Sequence, residues 1–250
     1  MNKFMVAAVA LLALTAAPAH AWLEVEGSWW FMKPSGNLAL GIDGLEGTTV
    51  DVQNDLGYGS RIGVPDAKVI IGKYVEFGAE FFQFNMSADN TINRDVRFHD
   101  RVFPISADVH TSLEATFVRG FARINVGPDW LHGGVFGGGQ YMNFNAKASS
   151  SAVGSTEKDV KAGMPYVGGF LEGAPLDWLT LRGSVCGFNW GFGDIDARFL
   201  DVEVSALLTL DWFYAGGGYR YITIHGEDTT YPITADLKLS GPLVYVGVRW

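Results

Sequence analysis

A formal net charge of −9 on 250 residues, from 27 acidic and 18 basic side chains, disfavours nucleic acid as a partner, because a polyanion needs a basic footprint. Cys186 is the only cysteine, which excludes an intrachain disulfide and suits a small buried apolar side chain. Charged residues are only 18% of the chain, low for a soluble domain, while aromatic residues reach 14% and glycines number 32.

Residues 1–21 read as a secretory signal peptide. Lys3 supplies the positive start, Phe4 to Leu14 the apolar run, and Ala19-His20-Ala21 a small-x-small cleavage site. The run is too short to span a membrane as a helix, and no later stretch is long enough. A membrane protein without a second apolar helix has to be a closed barrel, because hydrocarbon tolerates no unpaired backbone.

From residue 22 onward apolar residues recur mostly at spacing two, the period of a half-buried strand. Ten strands are expected, at about 22–33, 65–72, 74–86, 107–126, 130–147, 158–173, 178–190, 196–210, 212–225 and 235–250. If 65–72 merged into the preceding loop, eight would remain. Four short turns separate them in pairs: Gly72-Lys73-Tyr74, Pro128-Asp129-Trp130, Leu176-Asp177-Trp178 and Leu210-Asp211-Trp212. Asp favours the turn, and Trp suits a boundary between apolar and polar media. The first strand sets Leu23, Val25, Trp29 and Phe31 against Glu24, Glu26 and Trp30. The strand at 196–210 sets Leu200, Val202, Val204 and Leu208 against Asp201 and Glu203. In 107–126 the alternation changes parity near Thr116, which predicts a β-bulge.

The longer connections carry candidate chemistry. Asp43, Glu46, Asp51 and Asp55 cluster in the first, but without the regular spacing of a calcium loop. In the second, Arg94–Phe98 and Arg101–Phe103 alternate and predict a strand pair above the barrel. Gly133–Gly139 has glycine spacing like a nucleotide fingerprint, yet it leads into strand, not helix. Of the histidines, His99-Asp100 and His225-Gly226-Glu227-Asp228 fall in outer loops. No cofactor or metal site is expected.

The last strand closes on Leu243-Val244-Tyr245-Val246-Gly247-Val248-Arg249-Trp250. With Val244, Val246 and Val248 on one face and an aromatic terminus, it resembles the C-terminal signal strand of Gram-negative outer-membrane β-barrel proteins. Gly217-Gly218-Tyr219-Arg220-Tyr221, Leu239-Ser240-Gly241-Pro242 and Gly47–Asp51 with Asp55-Leu56-Gly57 look like segments of small members of that group. The resemblance implies an all-β, transmembrane, antiparallel up-and-down barrel in the outer membrane. It also implies lipid, lipopolysaccharide and the barrel insertion machinery as partners, with Val244, Val246, Val248 and Trp250 as the insertion signal.

Oriented with the aliphatic face toward lipid, the inward charges are Glu24, Glu26, Glu76, Glu80, Glu114, Glu172, Asp201 and Glu203 against Lys68, Arg119, Arg123, Arg182, Arg220 and Arg249. A barrel of eight to ten strands is narrow enough for side chains to fill, so these charges are expected to pair and plug the lumen. The expected protein is a monomeric outer-membrane barrel with a structural or surface-interaction role and no enzyme activity. The alternatives are a narrow, porin-like channel for small or apolar solutes, and a surface hydrolase of the outer-membrane protease or lipase type.

Overall fold

The computed structural model describes residues 23–41, 46–128, 130–192, 195–228 and 233–250. The expected signal peptide, Asp43 and Asp129 lie outside the described residues. Within them the elements are β1 (Leu23–Leu40), β2 (Val50–Asp51), β3 (Ile62–Gly72), β4 (Val75–Thr91), β5 (Val96–Phe98), β6 (Arg101–Phe103) and β7 (Asp108–Val126). There follow β8 (Leu131–Ser150), β9 (Gly154–Leu176), β10 (Leu179–Phe192), β11 (Ile195–Leu210), β12 (Phe213–Asp228) and β13 (Ile233–Arg249).

Ten of these strands form a closed antiparallel barrel in the order β1-β3-β4-β7-β8-β9-β10-β11-β12-β13. Pairing of β13 with β1, from Glu24–Arg249 to Leu40–Ile233, closes the ring and leaves no free sheet edge there. The expected strand at 65–72 is β3, paired with β1 from Leu23–Ile71 to Met32–Ile62, so the eight-strand alternative falls. The short turns sit at one end, here the lower rim. Gly72 there has φ 130° and Asp211 φ 50°, left-handed conformations that Gly and Asp tolerate best. Tyr74, Trp130, Trp178, Trp212 and Trp250 ring this rim exposed, and Trp212 stacks on Trp250 at 6.3 Å.

Alternation decides which way each side chain faces. Val204, Leu208, Val244, Val246, Phe77, Val135, Val167 and Val185 point outward and are exposed, while Glu24, Glu26, Glu76, Asp201 and Arg220 point inward and are buried. Leu23, on the outward parity, is nevertheless covered at the closing seam. Gly247 makes room inside: a Cβ there would strike the ring of Tyr214.

The predicted bulge at Thr116 is absent. β7 pairs with β4 from Val75–Ile124 to Thr91–Asp108 and with β8 from His110–Ser149 to Val126–Gly133 without a slip. The parity of β7 never changes; its chemistry does. Arg119, Phe117, Ala115 and Leu113 all face inward and are buried. The register shift lies elsewhere, between Leu179 and Leu181 where β10 meets β9.

A membrane-spanning strand needs about 9–11 residues. β4 has 17, β7 has 19, β8 has 20 and β9 has 23, so the wall continues well beyond that span. On one side this upper barrel is filled by the first two long connections. The expected strand pair is β5–β6, and Val96, Phe98 and Phe103 bury against Val50, Val52, Leu56 and Val109. Thr48 N donates to Arg97 O at 3.0 Å, and Arg94 pairs with Asp55 at 2.8 Å.

Candidate functional site

The lower lumen is crossed by a layer of ion pairs contributed by nine of the ten barrel strands, with β8 supplying the Gln140 amide. Its upper half centres on two arginines. Arg220 on β12 reaches Asp66 at 2.7 Å, Glu80 at 2.8 Å and Asp201 at 2.7 Å, with Glu203 at 3.8 Å. Arg119 on β7 reaches Asp201 at 2.7 Å, Glu80 at 3.2 Å and the Gln140 carbonyl at 2.5 Å. Below them Arg182 pairs with Glu24 and Glu26 at 2.7 Å each and with Glu172 at 2.9 Å. Arg249 pairs with Glu24 at 3.0 Å and Glu172 at 2.6 Å, and Lys68 with Glu26 at 2.8 Å. The Tyr214 hydroxyl reaches Glu24 at 2.7 Å and Glu26 at 2.8 Å. Arg123 pairs with Glu76.

These contacts run across the lumen, not along the wall. Around the ring, β7 and β11 are four strands apart, as are β4 and β12, β1 and β10, and β9 and β13. The pairs Arg119–Asp201, Arg220–Glu80, Arg182–Glu24 and Arg249–Glu172 span those intervals. Removing such charges from water costs several kcal/mol each, and close multiple pairing offsets it. Aromatic rings roof the layer: Arg220 lies 4.8 Å from the Phe82 centroid and 5.5 Å from Trp30, and Arg119 lies 5.2 Å from Phe199.

One expected member is elsewhere. Glu114 lies on the outer face of β7, exposed, where Asn85 Nδ2 donates to it at 2.7 Å. The assumed bulge had turned it inward; the uninterrupted register keeps it outside. One member escaped the sequence reading. Asp66 stands two residues before Lys68 on the same face of β3, and that spacing was the available signal.

Above the aromatic roof the chemistry reverses. Met32, Val64, Phe84, Met86, Leu113, Phe117, Leu237 and Leu239 fill the interior. Outside at that level the wall bears Lys33, Gln83, Asn85, Glu114 and Lys238. His99, His110 and His225 lie on or above this polar exterior, whereas His132 lies low in the barrel with Nε2 3.8 Å from Glu172. His225 Nδ1 meets Asp236 at 2.7 Å between β12 and β13, and His110 Nδ1 meets Asp89 at 2.8 Å between β7 and β4. These are opposite sides of the ring, so the two pairs do not converge. At the β5–β6 tip, the Thr156 hydroxyl donates to Asp100 at 2.5 Å and holds its carboxyl below the usual carboxylate range. In the first loop, Asp51 accepts from the backbone N–H of Gln53 and Asn54, and Asp55 from that of Asp51. Those carboxylates organise a turn.

No protein-family model and no curated sequence matches the chain. Solved structures do. The outer membrane protease OmpT from Escherichia coli superposes with a TM-score of 0.59 at 11% identity, covering 94% of this chain and 98% of that one. The chain has an outer-membrane β-barrel fold. The translocator domain of the autotransporter NalP from Neisseria meningitidis matches at TM-score 0.43 and 12% identity, over 99% of this chain and 94% of that one. The Ralstonia pickettii toluene transporter TbuX matches at 0.38 and 7%, over 93% and 90%. At these identities the likeness concerns the barrel architecture alone.

Proposed function

We propose that this protein is an outer-membrane barrel whose lumen is closed by its ionic layer, with a structural or surface-interaction role. The observation that carries the reading is the set of ion pairs joining strands four apart around the ring, Arg119–Asp201 and Arg220–Glu80 above all. A solute would have to part charges that have no replacement partners in a lumen of this width. In this reading residues 1–21 are the export signal, and Val244, Val246, Val248 and Trp250 are read by the insertion machinery. The exposed aliphatic band then faces outer-membrane lipid, and the polar upper wall stands among lipopolysaccharide headgroups. The protease activity named for the OmpT neighbour finds no support in the His–Asp pairs, which face outward on separate hairpins.

Reconstitution in a planar bilayer tests the closed lumen. The expected record is flat at all voltages, and steady single-channel steps would overturn the reading in favour of a narrow channel. Fractionation tests the location: recovery with soluble periplasmic protein would refute the membrane assignment.

A further inference from the structure

The upper barrel is filled unevenly. The first two connections pack its β1–β8 side, but toward β9–β13 a chamber of about 340 Å³ remains. Its walls are Met142, Phe144, Met164, Phe188, Ile224 and Leu237, and Phe199 forms its floor, stacked on Phe188 at 5.9 Å. Beneath Phe199 lies Arg119, so the chamber ends on the ionic layer. Asp196 and Arg198, paired with each other at 2.8 Å and exposed, mark its rim. An apolar cavity of about 150 Å³ suffices for one benzene ring, and pockets of about 300 Å³ and more hold larger organic ligands. The chamber therefore has room for two fused or linked rings, or for a short acyl chain. The lining is mainly apolar, and the charged and titratable side chains that also border it, Lys158, Lys161, His225 and Glu227, are contributed by the upper ends of β9 and β12.

The wall beside the chamber is incomplete. Pairing of β9 with β10 stops at Val167–Gly187. Above that level β9 continues to Gly154 paired with β8, and β10 continues to Phe192 paired with β11. Among the described residues no strand pairing crosses this seam. Pro165, which has no N–H to donate, stands two residues beyond the last pair. A similar seam above Asp66–Phe82, between β3 and β4, is covered: Asn90 Nδ2 donates to Asn54 O and Asp55 O of the first connection. The β9–β10 seam begins at the upper edge of the apolar band, just above exposed Val167 and Val185. The chamber lies directly behind it, lined by Val160, Ala162 and Met164 of β9 and Phe188 of β10.

We propose that this chamber is a binding site for a small, mainly apolar molecule or acyl chain that enters sideways between β9 and β10. The site goes beyond the closed-lumen reading, because it depends on the upper barrel and not on the ionic layer. Its occupant enters and leaves on the outer side without crossing the barrel.

The test uses the fluorescent probe N-phenyl-1-naphthylamine with the purified full-length protein, held first in amphipol and then in phosphatidylethanolamine nanodiscs. Saturable binding in amphipol is expected, weakened about tenfold or more by Ala162→Phe and by Ala235→Phe, which fill the chamber from two walls. Heat-modifiable gel mobility checks that each variant folds, and either one alone suffices. Binding retained in nanodiscs identifies a free solute as the occupant. Binding present in amphipol but lost in nanodiscs identifies a membrane acyl chain that competes for the site. Absence of saturable binding in amphipol, or binding unchanged in a folded variant, overturns the proposal. Either result leaves bilayer conductance, which reads the ionic layer, to decide the closed lumen separately.

Discussion

The lower and upper halves of this barrel share strands, register and side-chain parity, yet they are chemical inverses. Near the lower rim β4 sets Val75 and Phe77 outside and Glu76 and Glu80 inside; higher up it sets Gln83 and Asn85 outside and Phe82, Phe84 and Met86 inside. β7 does the same, passing from Arg123 and Arg119 inside to Phe117 and Leu113 inside. The lower half is ordered as hydrocarbon outside demands, and the upper half as water outside demands. In the proposed membrane placement the level of Trp30, Phe82, Phe117 and Phe199 is where one solvent would give way to the other; Trp30, Phe82 and Phe199 lie against the guanidinium groups of Arg119 and Arg220, and Phe117 stacks on Phe82.

This contrast can be broken at several points. Arg220→Ala leaves Asp66, Glu80 and Asp201 facing one another without their shared cation. It should lower stability by about 3–5 kcal/mol, as breaking a buried ion pair does, measured by urea unfolding in lipid vesicles. Phe117→Ala, in the apolar upper core, should cost about 3–5 kcal/mol by cavity formation. On the outer face, Val204→Arg should cost about 2–4 kcal/mol if the lower wall faces the bilayer midplane. Thr116→Arg, on the same face but higher, should stay within about 0.5 kcal/mol. A cost at Thr116 matching that at Val204 would extend the apolar band past the aromatic level. The smallest effect is at the β5–β6 tip. Thr156→Val removes the hydroxyl that donates to Asp100, so that carboxyl should titrate closer to its ordinary range by NMR. The contact's contribution is present above the ordinary carboxylate pKa and lost as pH falls through the depressed value, so the variant should lose the extra acid tolerance of this contact.

Much of the barrel was legible because a strand's period of two survives any surroundings. Each of the ten barrel strands overlaps an expected segment, and the short turns stand where Asp-Trp and Gly-Lys-Tyr put them. The errors share one cause. Taking charge as inward throughout assumes one kind of exterior along the whole strand, so the change from apolar to polar exterior side chains near Thr116 looks like a change of parity. The same assumption carried Glu114 into the lumen, although it lies beside Asn85 on the polar exterior. Asp66 has its partner, Arg220, 154 positions away on β12, so its place in the ionic layer follows from ring closure and not from its neighbours in β3.

Residue order alone determined the period, the turns and the two faces of each ribbon, because these depend on neighbours within a few residues. Tertiary structure decided which charges meet across the lumen, since Arg182 and Glu26 lie 156 positions apart and only ring closure joins them. It also decided that β9 and β10 part above Val167–Gly187, and that an apolar chamber lies behind them. Both are properties of how neighbouring strands end relative to one another, which no single strand encodes.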